Sequence, residues 1–274
     1  MKKTRLLIGG FFLLLQYGCV QLKELHTLTD TCQKTLDDDR QIGYGYADYC
    51  GDSCYLFNVS GRQLADFDCN CHQDEIYDTI IQKEYDILGA YFAALGKLAG
   101  AGSYINFAPI GSSIQAGTYG SLVITANESK VVTTLATVAT DLLTTHYKSK
   151  KIKEVLVKYH DTVDIAMQLL GLHIDNLKSR IGLMQMKLQQ RCDLLMAKNP
   201  AVSDAEKWAT VYIYKQKYKE LGRIITSYDK RYRSLDKIRL DHVELSKNVD
   251  DLQSEGFKKK ILDMAYDIVY INNH

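Results

Sequence analysis

An all-α fold is predicted for this chain: a long antiparallel helical hairpin in a coiled-coil bundle, with one small disulfide-bonded β-hairpin near the N-terminus. Three observations carry the prediction. The 274 residues include only 2 prolines, so long stretches contain nothing that interrupts a helical ladder. Apolar residues recur at spacings of three and four through most of the C-terminal half. Four of the 7 cysteines fall between Cys50 and Cys71.

Hydrophobic residues make up 46% of the chain and charged residues 24%, an ordinary globular composition. The formal charge is +1, which gives no global attraction to nucleic acid, and no nucleic-acid partner is expected.

At the N-terminus, Lys2, Lys3 and Arg5 precede an apolar run from Leu6 to Leu15, and Gly18 precedes Cys19. The run is shorter than the about 20 residues a spanning helix needs. The arrangement resembles bacterial lipoprotein precursors, although Gln16 stands where the lipobox has an aliphatic residue and Leu15 comes one step early. The resemblance implies a signal peptide over 1–18, lipidation (a palmitate-type acyl anchor) at Cys19, and residence in the bacterial cell envelope. The membrane partner would then be the outer membrane, reached through the anchor. An ordinary secreted protein is the alternative. Residues 19–72 are read as an anchor segment followed by the cysteine-rich hairpin.

In an exported chain the remaining cysteines are read first as disulfides. Tyr55–Val59 and Arg62–Phe67 flank Ser60-Gly61, an aromatic and β-branched pattern around a turn. With those two residues as the loop, Cys50 faces Cys71 and Cys54 lies diagonal to Cys69. Cross-strand bridges Cys50–Cys71 and Cys54–Cys69 are expected. Zinc is the alternative, since Cys-x3-Cys and Cys-x-Cys-His offer enough ligands, but the spacing is not that of a zinc ribbon. Cys32 and Cys192 are left over.

Residues 73–147 form the next unit. Ile76, Ile80, Tyr85, Leu88, Tyr91, Phe92, Leu95 and Leu98 mark an amphipathic helix stopping at Gly100. A Gly/Thr-rich apolar stretch without formal charge follows over 98–127. It is read as short helices and turns against the bundle, or as a membrane-inserting tongue like that of α-helical pore-forming toxins.

Residues 148–274 hold the hairpin and a last helix. Ile152 to Leu195 step by three or four until Asn199-Pro200, and Ser203-Asp-Ala-Glu206 is a capping box opening the return helix. There Val211, Tyr214, Tyr218, Leu221, Ile225, Tyr228, Tyr232 and Leu235 form a coiled-coil seam that weakens at His242 and Ser246 and continues toward Leu252. A partner helix along this tyrosine-rich seam is one reading of it. Gly256 allows a break before the last helix through Ile261, Met264, Ile268 and Ile271.

No His-Glu-x-x-His, Gly-x-Ser-x-Gly or Walker-type loop occurs. No catalytic, metal or cofactor-binding residue is assigned, and no small-molecule substrate is indicated. Gly43-Tyr-Gly45-Tyr reads as a surface loop, Asp37-Asp-Asp39 as a solvated acidic turn, and His173 with Asp175 as helix-surface pairing. The Cys19 anchor, the apolar segment, and Tyr147 to Ile152 opening the hairpin together resemble uncharacterised helical lipoproteins of Bacteroidota-type bacteria. The expected function is a non-enzymatic, lipid-anchored structural or interaction module. The alternative is a membrane-perturbing protein acting through 98–127.

Overall fold

Three-four periodicity buries one stripe per helix, so the stripes must meet, and they do. The structure, a computed structural model, describes residues 22–41, 43–57, 69–100, 114–119, 122–144, 149–198 and 203–274. Among these lie α1 (Lys23–Arg40), α2 (Tyr46–Phe57), α3 (His72–Leu98), strands β1 (Gly117–Tyr119) and β2 (Leu122–Ile124), α4 (Ala126–Thr144), α5 (Ser149–Lys198), α6 (Asp204–Lys247) and α7 (Glu255–Asn273). The all-α class and the bundle are thus present. No described helix is long and apolar enough to cross a membrane.

The hairpin of α5 and α6 is the longest feature. At about 1.5 Å per residue its arms reach roughly 75 and 66 Å. Its register is readable from four contacts: Lys153 with Asp250, Asp164 with Arg239, Gly171 with Tyr232, and Gln185 Nε2 donating to the Tyr218 carbonyl. The residue numbers of every pair add to the same total, the signature of antiparallel helices with no slip between them. The capping box is present, with Glu206 N–H donating to Ser203 Oγ at 3.3 Å and Ser203 N–H donating to Glu206 at 3.0 Å. Asn199-Pro200 lie outside the described residues.

The seam differs from the expected one. Leu221, Tyr228 and Leu235 are buried at a strict interval of seven, while Tyr218 and Tyr232 are exposed. A two-helix contact covers a narrow stripe, so only its central row is sealed. Further along, Ile238, Asp241, His242 and Leu245 are all buried, because α1 and α7 pack on α6 there. The break before the last helix also comes early: α6 ends at Lys247, a 3-10 turn spans Val249–Asp251, and Ser254 caps α7, leaving Gly256 inside its first turn.

Contacts between the shorter helices orient the body. α1 starts beside the end of α3, where Leu22 N–H donates to the Ala99 carbonyl, and runs toward Arg40, paired with Asp86. α3 ends as a helix should: Ala99 closes it and Gly100 takes φ 108°, the left-handed region that favours glycine. The Lys97 ammonium donates to the Leu143 carbonyl near the end of α4, while Glu84 in the middle of α3 feels Glu128 at the start of α4. The two helices therefore run parallel. The segment between them, 101–125, carries no charged residue. Its described part is β1 paired antiparallel with β2, Thr118 opposite Val123, with β1 against α3.

The predicted N-terminal β-hairpin is not found among the described residues. Tyr55, Leu56 and Phe57, expected in a strand, end helix α2; Asn58 to Asp68 lie outside the described residues. The disulfides nevertheless form as expected, Cys50–Cys71 and Cys54–Cys69 with Cα atoms 5.8 and 6.1 Å apart. The reason is a different periodicity. Cys50 and Cys54 sit one turn apart on one face of α2, and Cys71 and Cys69, two residues apart just before α3, bridge to that face. These four sulfurs are joined to each other, so they are not free as zinc ligands.

Candidate functional site

Two places stand out, one buried and one exposed. The buried one is where α2 meets α3, α5 and α6. Asp78 on α3 caps α2 from a distance: its carboxylate accepts from Tyr46 N–H at 2.8 Å and Ala47 N–H at 3.0 Å, satisfying amides that α2 leaves open. Gly45 has no Cβ because one would collide with that carboxylate. Tyr46 donates to the His173 carbonyl at 2.7 Å, Tyr228 donates to the Tyr44 carbonyl at 2.5 Å, and Tyr77 shares a hydrogen bond with His173 Nδ1 while stacking on its ring. Burial pushes the Tyr46, Tyr77 and Tyr228 hydroxyls up and lowers His173 to about 4, so His173 is neutral near pH 7.

A cleft of about 140 Å³ opens among Arg40, Asp48, Asp78, Gln82, Tyr85 and Tyr228. Among the described residues the Tyr85 hydroxyl is buried without a hydrogen-bond partner. Its neighbours are largely engaged with backbone groups, and no described serine or cysteine lines the cleft. Apart from that hydroxyl, the chemistry present is that of a satisfied polar joint holding α2 to the bundle. Among the described residues no group of three or more His, Cys, Asp or Glu side chains is arranged to hold a metal ion.

Deeper in the body, Tyr91 Oη lies 2.9 Å from His242 Nε2, and burial lowers His242 to about 4. Glu84 is 4% exposed, and burial raises it to about 8, reinforced by Glu128; its Oε2 has no hydrogen-bond partner among the described residues. Asp39 is raised to about 7 by burial, an effect that its partner Arg231, 3.8 Å away, opposes.

Several expectations change accordingly. Tyr44 and Tyr46 of the presumed surface loop are buried, and Gly45 and Tyr46 line the cleft. The acidic turn is the helical end of α1, where Asp39 packs on α6 rather than in solvent. His173 pairs with Tyr77, not Asp175, which binds Lys178 instead. Nothing local in the sequence marked these residues; the signal that could have found them is a histidine on the apolar face of a long helix. Among the described residues Cys32 and Cys192 are unpaired, the first buried on α1 and the second half-buried on α5. Cys19 lies outside the described residues.

The exposed place is the far end of the hairpin. α2 braces it at one level, where Arg191 donates to the Leu56 and Phe57 carbonyls and Lys217 pairs with Asp52 at 2.7 Å. Beyond that level, Leu194, Met196, Trp208, Tyr212 and Ile213 stand largely in solvent. Comparison of the chain with protein-family models, curated proteins and solved structures finds no match.

Proposed function

We propose that the chain is a non-catalytic interaction module of the bacterial cell envelope, tethered through lipid on Cys19 and holding a contact surface away from the membrane on its hairpin. One observation carries the reading. The described chain enters at the base of the bundle, where Leu22 meets Ala99, whereas Leu194, Met196, Trp208, Tyr212 and Ile213 stand exposed together at the opposite end of the hairpin. From Leu245 to Trp208 the separation along α6 is about 55 Å. A large apolar side chain kept in water at the end of such an arm is most simply explained by something it meets.

Photo-crosslinking in the native cell tests the reading, with the reactive residue at Tyr212 or, as the control, at Lys259 near the base. Discrete adducts from Tyr212 and none from Lys259 are expected, and Cys19→Ala should release the protein into soluble fractions with loss of acyl labelling. Unchanged fractionation without a label on the wild type would remove the tether. Adducts from the base alone would remove the distal contact.

A second reading, membrane perturbation through 98–127, is favoured by the β1–β2 hairpin in that segment, whose Val123 is 62% exposed. Leakage of dye from liposomes by protein carrying Cys19→Ala would select it.

A further inference from the structure

We infer that the outer face of α6 near the hairpin tip docks on an anionic phospholipid surface. The inference rests on reading the hairpin as the contact element and makes no use of the Cys19 tether. Trp208, Tyr212, Lys215, Lys219 and Arg223 follow one another at intervals of three and four, placing them on one face of the helix. That face lies opposite the row of Leu221, Tyr228 and Leu235 turned toward α5, and all five side chains are exposed.

The composition of the face selects its partner. Trp208 is 67% and Tyr212 63% exposed, rings with an apolar body and one polar handle, which settle at the headgroup level of a bilayer. Lys215, Lys219 and Arg223 follow along the same line, and among the described residues none of them has an ion-pair partner. The nearby carboxylates are engaged elsewhere: Asp204 pairs with Lys207, Glu206 accepts from Ser203, and Glu220 pairs with Lys217. An aromatic end running into uncompensated cations is the pattern of an interfacial helix on anionic lipid. A protein groove would instead have to cover three cations with matching acids as well as both rings. No described helix is long and apolar enough to span, so the contact is a surface one.

The chain holds a single tryptophan, so its fluorescence reports this face alone, however the N-terminal segment behaves. Full-length protein is added to vesicles of equimolar phosphatidylglycerol and phosphatidylcholine, and to vesicles of phosphatidylcholine only. Expected are a blue shift of Trp208 emission and quenching by acyl-brominated lipid on the anionic vesicles, both fading as salt is raised. Lys215→Glu with Lys219→Glu, at exposed positions that leave the helical circular dichroism unchanged, should weaken the response by about tenfold or more. The wild-type response should persist with Cys19→Ala, which separates failure of the tether from failure of this face. The inference is overturned if Trp208 emission is unmoved by anionic vesicles, or shifts equally on phosphatidylcholine and in the charge-reversed protein. It is likewise overturned if the shift follows protein concentration without lipid, which would mark a second copy as the occupant.

Discussion

Between Leu221 and Leu245 the second arm of the hairpin is enclosed from two sides, by α5 along its seam and by α1 and α7 across its back. Between Asp204 and Glu220 the same helix has no buried residue, and its seam positions Val211 and Tyr214 are half-covered. The stepping of apolar residues runs unbroken from Val211 to Leu235, through both stretches. What differs is the number of neighbours, and so the depth to which one pattern is buried. Amphipathicity sets the direction a helix faces; enclosure depends on how many other stripes converge on it.

The sharpest way to break this comparison is to cut one apolar residue from each stretch. Ile238→Ala removes a side chain with no exposure and should cost about 2–5 kcal/mol in urea denaturation, because the enclosed site cannot collapse around the cavity. Val211→Ala, half-exposed on the unsupported arm, should cost roughly 1 kcal/mol or less. Equal losses would show that the tip is as tightly enclosed as the body.

A smaller effect is expected from the brace between the two regions. Replacing Cys50 and Cys71 together by serine opens a loop closed over a sequence separation of 21, worth about 2–4 kcal/mol on the usual scale. Cys54–Cys69 still holds the same segment, so the measured loss should lie near the lower end. Hydrogen exchange should quicken in α2 and in the α6 stretch beside Lys217 while the amides around Ile238 keep their protection. Uniform acceleration would contradict a brace that acts locally.

The smallest effect is electrostatic and belongs to the body alone. Burial lifts Glu84 from its usual 4.5 to about 8, so its contribution is fully present below pH 4.5 and is lost as pH rises through 8. His173 and His242, lowered to about 4, act in the opposite sense: their contribution is full above pH 6.5 and is lost as pH falls through 4. Glu84→Gln should therefore flatten the alkaline limb of Tm against pH and leave the acid limb in place. An unchanged alkaline limb would show that Glu84 is not the group responsible.

The long helices were legible because dozens of positions repeat one interval, and chance does not sustain that. Element α2 was not, because its evidence is split. Tyr55, Leu56 and Phe57 favour a strand by composition, the Cys50–Cys54 interval suits a helical face, and the group that decides, the Asp78 cap, comes from another element. Strands β1 and β2 have three residues each, too few for a period of two to register. The cysteine pairs were read correctly on a wrong scaffold, since alternate strand residues and residues one helical turn apart can meet the same partners. The buried joint around Tyr46, Tyr77 and His173 was missed for a related reason: its members come from α2, α3 and α5, and no window of sequence contains them together.

The brace also has a mechanical meaning. A pull on the far end of the hairpin travels down two uninterrupted helices in fixed register and meets α2 first. There it is resisted by the Lys217–Asp52 ion pair and by the grip of Arg191 on the last carbonyls of α2. Behind those contacts stand two covalent links to the segment that opens α3. Under load the polar contacts yield before the sulfur bridges do.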